Sequence, residues 1–155
     1  MPNIYWPALI IFILACQAVG IFGSIFTIKS IPTWYKGLKK SWFNPPNWIF
    51  GPVWTILYLL MAISGYLLWQ NNHLSLAICL FFIQLILNSV WTPLFFGAKK
   101  LGWAFVEIVL LWMAILLTII FSWGISHWAA TLLIPYLFWV FFASLLNFSI
   151  WKLNK

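Results

Sequence analysis

The sequence predicts an all-α membrane protein, a bundle of five transmembrane helices with the N-terminus outside and the C-terminus in the cytoplasm. Two features of the composition point to a membrane. Hydrophobic residues make up 65% of the 155 residues, with a mean hydropathy of +1.04. Charged residues make up only 6%, against about 25% in an ordinary soluble domain. A water-facing surface cannot be built from so few charges, so the surrounding solvent must be largely lipid.

Five apolar runs are each close to the roughly 20 residues that cross a bilayer. We predict them as helices over residues 6–28, 48–69, 74–96, 103–123 and 128–151, joined by a long loop, 29–47, and three short connectors. The first run exceeds the roughly 7 to 15 apolar residues of a signal-peptide core and follows no basic segment, so it is predicted as a helix. The whole chain, 1–155, is predicted as a single five-helix domain.

The lysines predict the orientation. All eight fall in the long loop, the third connector or the C-terminal tail: Lys29, Lys36, Lys39, Lys40, Lys99, Lys100, Lys152 and Lys155. With five spans these three segments lie on one side, and the positive-inside rule makes that side cytoplasmic. We therefore expect a multi-pass protein of a bacterial cytoplasmic membrane, and the net charge of +7 indicates topology rather than nucleic-acid binding.

The composition excludes most enzyme mechanisms. The chain holds one acid, Glu107, and no Asp, so it offers no carboxylate pair, no Ser-His-Asp triad and no acidic site for divalent metals. His73 and His127 both fall on the lysine-free side without a third ligand, so no metal site is expected. Cys16 and Cys79 lie inside spans and are interpreted as core residues.

Glu107 lies one turn into the fourth span. An ionisable group inside a membrane is a functional candidate by default. The interpretation that we favour is structural, because Lys99 and Lys100 lie near the same end of that helix and are expected to pair with the carboxylate.

Three spans carry stripes of aromatic and polar residues at helical spacing. These stripes are Trp54, Tyr58, Met61 and Gly65 on the second span; Gln84, Asn88, Trp91 and Phe95 on the third; and Tyr136, Trp139, Ala143 and Asn147 on the fifth. Polar side chains are costly in lipid, so the stripes are predicted to face the bundle interior. Buried Asn or Gln commonly joins helices without binding any ligand, so this interpretation stays open for each residue.

Tryptophans at the predicted span ends are interpreted as an interfacial belt. They are Trp6, Trp48, Trp69, Trp103, Trp123, Trp128 and Trp151. On the first span, Cys16, Gly20 and Ser24 form a small-residue stripe that permits close helix approach. Its partner is either another subunit or a neighbouring helix of the same bundle.

The long loop combines aromatic anchors with lysines, and its prolines restrict the backbone. Loops of this length are usually functional or disordered, and the anchors Trp34, Tyr35, Leu38, Trp42 and Phe43 argue against disorder. The loop is predicted either as a lid over the bundle or as an amphipathic segment on anionic headgroups, and the two are compatible.

One run of residues resembles the signature of the TspO/MBR family, the translocator protein or peripheral benzodiazepine receptor family. The run comprises Trp34, Tyr35, Leu38, Lys39, Pro45, Pro46, Phe50, Gly51, Pro52, Val53, Trp54, Thr55, Leu57, Tyr58 and Met61. The resemblance continues through Gln84, Leu85, Asn88, Trp91, Phe95, Glu107, Trp112, Leu133, Pro135, Tyr136, Trp139, Ala143, Leu146, Asn147 and Trp151. It covers almost the whole chain in order and indicates a bacterial-type member.

The resemblance implies a five-helix receptor or sensor, often a homodimer, that binds protoporphyrin IX and haem, with a part in porphyrin transport or clearance. It also implies binding of benzodiazepine- and isoquinoline-type ligands, with no required cofactor. The ligand-binding residues that it implies are Tyr35, Trp54, Asn88, Trp91, Trp139, Ala143 and Asn147, and Lys36, Lys39 or Lys40 would pair with porphyrin carboxylates. Alternative functions are light- and oxygen-dependent porphyrin degradation, with Trp54 and Trp139 as catalytic candidates, and a small-molecule transporter subunit.

Two departures from the family pattern matter. Ser41 stands where the family usually has Pro after the paired basic residues of the loop. Phe148 stands where the animal members' cholesterol motif has Tyr, so weak sterol binding is expected.

Overall fold

Five long helices form the protein in a computed structural model that describes residues 4–155, so the first three residues of the predicted N-terminal tail lie outside it. The helices are α1 (Trp6–Ser30), α2 (Asn47–Asn71), α3 (Leu76–Thr92), α4 (Leu101–Trp123) and α5 (His127–Leu153). Each is long and apolar enough to cross a membrane, and residues 4–155 contain no strand. The predicted all-α architecture of five spans is confirmed.

Most helix ends lie within a few residues of the predicted bounds, and two of the differences are informative. Lys29, predicted as the first loop residue, lies in the last turn of α1, where a cation interacts favourably with the helix carboxyl end. The third span ends in a short π-helical turn, Pro93–Gly97, rather than as regular α-helix. Proline at the start of that turn has no amide N–H to donate to the preceding helical turn. The Ala98 amide donates to the Pro93 carbonyl at 2.7 Å, and this spacing of five residues is that of a π-helix.

The helices close into a ring with the order α1, α2, α5, α4 and α3, which differs from the order of the chain. Helix α1 packs against α2 and α3, α2 against α5, and α4 against both α3 and α5. The short connectors predict antiparallel sequential neighbours, which holds for α3 with α4 and for α4 with α5. Helix α2 instead packs mainly against α1 and α5, so it faces the fifth helix rather than the third.

Small residues allow the close packing inside this ring. A Cβ atom added at Gly65 of α2 would lie 2.6 Å from Phe81 of α3 and 2.9 Å from Phe12 of α1. One added at Gly20 of α1 would lie 2.7 Å from the ring of Tyr58. The small-residue stripe of α1 therefore meets its own bundle, since Gly20 contacts Tyr58 and Cys16 is fully buried.

The predicted inward stripes do face the interior. All twelve stripe residues are buried or partly buried, and Met61, Gln84 and Tyr136 are fully so. The seven tryptophans at the predicted span ends differ in burial. Trp69 and Trp151 are partly buried, and the other five are exposed, which is consistent with an interfacial belt.

The predicted ion pair of Glu107 is wrong. Both carboxyl oxygens are buried and have no hydrogen-bond partner within residues 4–155, whereas Lys99 and Lys100 are exposed. The reason is geometric, because α4 turns residue 107 toward the bundle while the two lysines precede the helix at its exposed end. Glu107 is an unpaired buried acid in the structure.

Candidate functional site: a cavity beneath the long loop

A cavity of about 530 Å³ opens between α1 and α2 and lies under the long loop. Pockets for small molecules commonly measure about 300 to 1,000 Å³, so the space suits a drug-sized ligand. Its side between α1 and α2 includes exposed residues, among them Ile21, Ile28 and Trp48. The deeper wall is aromatic and comes from Trp54 and Tyr58 of α2, with further rings from the end of the third span. The cavity is therefore apolar and partly open toward lipid.

Five of the seven residues implied as ligand contacts line this cavity: Tyr35, Trp54, Trp91, Ala143 and Asn147. They come from the loop and from α2, α3 and α5, so the ring order of the helices brings them together. Asn88 and Trp139 are absent from the lining and lie behind it.

Asn88 joins two phenols in the bundle interior. The Tyr58 hydroxyl donates to Asn88 Oδ1 at 2.7 Å, and Asn88 Nδ2 donates to the Tyr136 hydroxyl at 2.7 Å. Asn88 is 4% exposed and Tyr136 is fully buried. Helices α2, α3 and α5 are thus held together by one polar chain, and only Tyr58 of that chain reaches the cavity.

Trp139 supports Trp54 from behind. The two indoles meet edge to face with ring centroids 6.5 Å apart, and Trp54 stacks on Tyr58 at 5.5 Å. Trp139 also contacts Phe50, a cavity residue, at 6.0 Å. The Trp139 indole N–H is buried without a partner among residues 4–155. Trp139 therefore fixes the orientation of the cavity wall.

Asn147 fixes the other wall. Its Oδ1 accepts the Trp91 indole N–H at 3.1 Å, and its Nδ2 donates to the Leu101 carbonyl at 2.9 Å. The side-chain amide thereby links α5 to α3 and to the start of α4. Trp91 in turn stacks on Phe95 at 5.1 Å, which continues the aromatic surface toward the loop.

The loop closes the lysine-rich end of the cavity through Tyr35. This side chain is 5% exposed, contacts Phe96 at 5.5 Å and donates from its hydroxyl to Asn44 Oδ1 at 3.2 Å. Burial raises the pKa of the Tyr35 phenol, and the hydrogen bond to Asn44 offsets part of that rise. Tyr35 is therefore a neutral anchor that seats the short 3₁₀ turn Tyr35–Gly37 against the bundle.

The three loop lysines differ in their surroundings, and none lines the cavity. Lys40 Nζ donates to the Tyr35 carbonyl at 2.6 Å and lies 4.5 Å from the Tyr35 ring centroid. Burial lowers the pKa of the Lys40 ammonium. Lys36 and Lys39 are exposed, and Lys36 follows Tyr35 directly in the chain. The charge that the loop presents to its surroundings is therefore mainly that of Lys36 and Lys39.

The end of α5 holds the loop in place. The Lys39 amide donates to Asn154 Oδ1 at 3.0 Å, and Asn154 Nδ2 donates to the Lys39 carbonyl at 2.9 Å. A second link joins the loop to the third connector, where Lys99 Nζ lies 5.8 Å from the Trp34 ring centroid. These contacts place the three lysine-bearing segments at one end of the bundle.

Helix α1 supplies a wall of the cavity that the sequence pattern did not predict. It contributes Gln17, Gly20, Ile21, Gly23, Ser24, Thr27 and Ile28. The one available signal was the stripe of Cys16, Gly20 and Ser24, which predicted close approach but not a cavity beside it. Gln17 Nε2 also donates to the Thr55 carbonyl at 3.2 Å, which ties α1 to α2 at this wall.

Within the described chain, no three His, Cys, Asp or Glu side chains come together in a group that could hold a metal ion. The polar groups at the cavity are amides, hydroxyls and indole N–H groups. Such an aromatic cavity with a few fixed polar groups can bind and orient a flat, mostly apolar molecule.

The fold and the cavity define an integral membrane protein with an aromatic cavity inside a bundle of five helices. The chain matches the TspO/MBR family over residues 12–152 and belongs to that family. It is 47% identical over 144 residues to the tryptophan-rich protein TspO of Archaeoglobus fulgidus, covering 92% of this chain and 94% of that protein. It is 36% identical over 148 residues to protein CrtK of Rhodobacter capsulatus, covering 93% and 91%. It is 37% identical over 154 residues to the translocator protein of Homo sapiens, covering 96% and 91%.

Family membership supports a role as a membrane receptor or sensor. The five apolar helices make the chain a multi-pass membrane protein, and the bacterial relatives support a bacterial cytoplasmic membrane.

Proposed function

We propose that the protein is a membrane receptor or sensor for tetrapyrroles such as protoporphyrin IX and haem, which it holds in the cavity under the loop. The single observation that carries this proposal is the shape and chemistry of the cavity, about 530 Å³ lined by Trp54, Tyr58, Trp91 and Phe95. A planar macrocycle gains from stacking on such rings. The same cavity suits benzodiazepine- and isoquinoline-type ligands, which are also flat and aromatic.

The charge pattern supports an anionic ligand. Porphyrin propionates placed at the loop end of the cavity would meet the exposed ammonium groups of Lys36 and Lys39, and ion-assisted hydrogen bonds are stronger than neutral ones. The side-chain amide of Asn147 and the phenol of Tyr58 supply fixed polar groups deeper in. Glu107, the one acid of the chain, does not line the cavity and so does not repel the propionates there.

A titration with protoporphyrin IX tests this proposal, following the porphyrin absorption band in detergent with empty micelles as the blank. Trp54→Ala removes a cavity wall, so saturable binding is expected to be lost. Trp139→Ala removes only the support behind that wall and is expected to weaken binding less. Trp128→Ala is the matched control, since this indole is 76% exposed at the opposite end. Equal affinity in all three variants would contradict the proposed cavity.

A second candidate function is light- and oxygen-dependent degradation of the bound porphyrin, favoured by the contact of Trp54 with Trp139 beside the cavity. Excited porphyrin and molecular oxygen supply the chemistry, so no acid-base pair is needed. Illumination of the complex tests this candidate, because porphyrin that bleaches no faster with the protein than in empty micelles would exclude degradation by the protein.

The transporter alternative predicts ligand flux in proteoliposomes that contain only this protein, whereas a receptor gives none.

A further inference from the structure

A second concavity lies on the outer surface between α4 and α5, in the half of the bundle that carries the lysines. It measures about 360 Å³ and is lined by Phe105, Val109, Trp112, Phe141, Ser144, Leu145 and Phe148. It shares no residue with the cavity under the loop. Val109, Phe141, Leu145 and Phe148 are 37% to 49% exposed, so the groove faces the hydrocarbon of the bilayer.

Among the described residues, those lining this groove expose no polar group without a partner. Ser144 is its polar lining residue, and its hydroxyl donates to the Phe141 carbonyl at 2.7 Å. The indole N–H of Trp112 is fully buried, so Trp112 presents only its aromatic ring to the groove. An occupant of the groove therefore meets apolar atoms along its length, as an acyl chain requires.

One end of the groove is basic. Lys152 Nζ lies 5.5 Å from the ring centroid of Phe148, a groove residue. Trp151 stacks on Phe105, another groove residue, at 5.9 Å, and Lys155 Nζ lies 4.4 Å from the Trp151 ring centroid. The one acid of the chain, Glu107, is buried, so neither lysine has a carboxylate partner on a side chain. Two ammonium groups thus stand at the level where lipid headgroups begin.

We propose that this groove is a binding site for one anionic phospholipid, with an acyl chain between α4 and α5 and the headgroup phosphate paired with Lys152 and Lys155. Charge complementarity decides among the lipids of the membrane. A sterol hydroxyl is neutral and gains little from two ammonium groups, and a zwitterionic headgroup brings its own cation to the same place. Only an anionic headgroup gains at both lysines. The site lies outside the proposed tetrapyrrole cavity and does not depend on it.

Native mass spectrometry of the full chain measures this directly, with phosphatidylglycerol and phosphatidylcholine of the same acyl chains added to delipidated protein. We expect one phosphatidylglycerol to be retained preferentially. Each lysine near an anionic surface contributes enough for roughly a fivefold change in affinity. The double variant Lys152→Gln/Lys155→Gln is therefore expected to lose on the order of twentyfold or more. Equal retention of the two lipids by the unaltered protein would overturn the proposal.

Lys29→Gln/Lys99→Gln is the matched control, since it removes the same charge at the same end of the bundle, away from α5. A control that loses its preference for phosphatidylglycerol as fully as the Lys152/Lys155 double variant does would show an effect of general surface charge. That result would overturn the site. A second pair of variants tests the acyl chain. Val109→Trp fills the groove and is expected to abolish retention, whereas Val106→Trp, 51% exposed on the same helix but outside the groove lining, is not.

Two competitors separate the sources of binding energy. Free glycerol phosphate should not displace the bound phosphatidylglycerol. Displacement of the lipid by an equal concentration of glycerol phosphate would show a phosphate site that does not bind the acyl chain. Cholesterol should displace phosphatidylglycerol poorly, and equal competition that Val109→Trp abolishes would make the groove a sterol site. Either result overturns the proposal.

Discussion

Asn88 shows how far a helical stripe can be interpreted at the level of one residue. Its spacing with Gln84 and Trp91 correctly predicted that the side chain faces inward, because residues three and four apart share a helix face. The resemblance implied contact with ligand. The partners, Tyr58 and Tyr136, lie on two other helices, and their positions depend on the ring order of the bundle, which a stripe on one helix does not contain. The bridge between two phenols was therefore visible only in the fold.

Replacement of Asn88 by Leu tests that bridge. The change leaves two buried hydroxyls without their partner, at about 1 to 3 kcal/mol for an unsatisfied buried group, so a clear fall in the thermal unfolding temperature is expected in detergent. Tyr58→Phe is expected to cost less, because Asn88 still serves Tyr136, and the double variant should be non-additive. Unchanged stability together with lost porphyrin binding would instead make Asn88 a ligand contact.

Gly65 and Gly51 form a matched pair on helix α2. A methyl group at Gly65 meets Phe81 at 2.6 Å, whereas one at Gly51 meets no atom within 4 Å beyond the neighbouring backbone of its own helix. Gly65→Ala is expected to destabilise the protein by about 1 to 3 kcal/mol through overpacking. Gly51→Ala is expected to stabilise it by up to about 1 kcal/mol through helix propensity. Chemical denaturation of both variants in micelles measures the difference, and a stabilising Gly65→Ala would contradict the packing of α1 and α3 against α2.

At the scale of elements, the long loop is the segment whose role depends most on contacts distant in sequence. Its aromatic residues predicted a packed lid, and burial of Tyr35 against Phe96 agrees with that interpretation. The hydrogen bonds between Asn154 and the loop were not predictable, because an Asn near a helix end does not reveal a partner more than a hundred residues away in sequence. The π-helical turn Pro93–Gly97 was also missed, since its proline is equally compatible with a simple helix end.

Asn154→Ala is expected to loosen the loop over the cavity. It removes two hydrogen bonds to the Lys39 backbone, each worth about 0.5 to 1.5 kcal/mol, so porphyrin dissociation should accelerate roughly tenfold. Stopped-flow displacement of bound porphyrin measures the rate. Asn71→Ala is the control, because the Asn71 amide donates to Leu67 within its own helix at the lysine-free end. An equal effect of both changes would show a loss of general stability and no role for the loop.

At the scale of the whole molecule, the five spans were predictable to within a few residues because lipid demands long uninterrupted apolar segments. The packing order was not. Apolar spans do not specify their packing partners, because a Leu or Ile that faces lipid looks the same in sequence as one that faces another helix. The packing of α2 against α5 is therefore visible only in the structure. The cavity depends on that order, since α1, α2, α3, α5 and the loop all line it.

The orientation of the bundle decides from which side the loop end of the cavity is reached. The eight lysines lie at the end where the loop, the third connector and the tail meet, so the positive-inside rule places that end in the cytoplasm. Single cysteines test this prediction in a background of Cys16→Ala and Cys79→Ala, using a membrane-impermeant maleimide on intact bacterial cells. Asn72→Cys, exposed in the connector after α2, is expected to react in intact cells. Lys155→Cys is expected to react only after permeabilisation, and the reverse pattern would turn the loop and the mouth of the cavity outward.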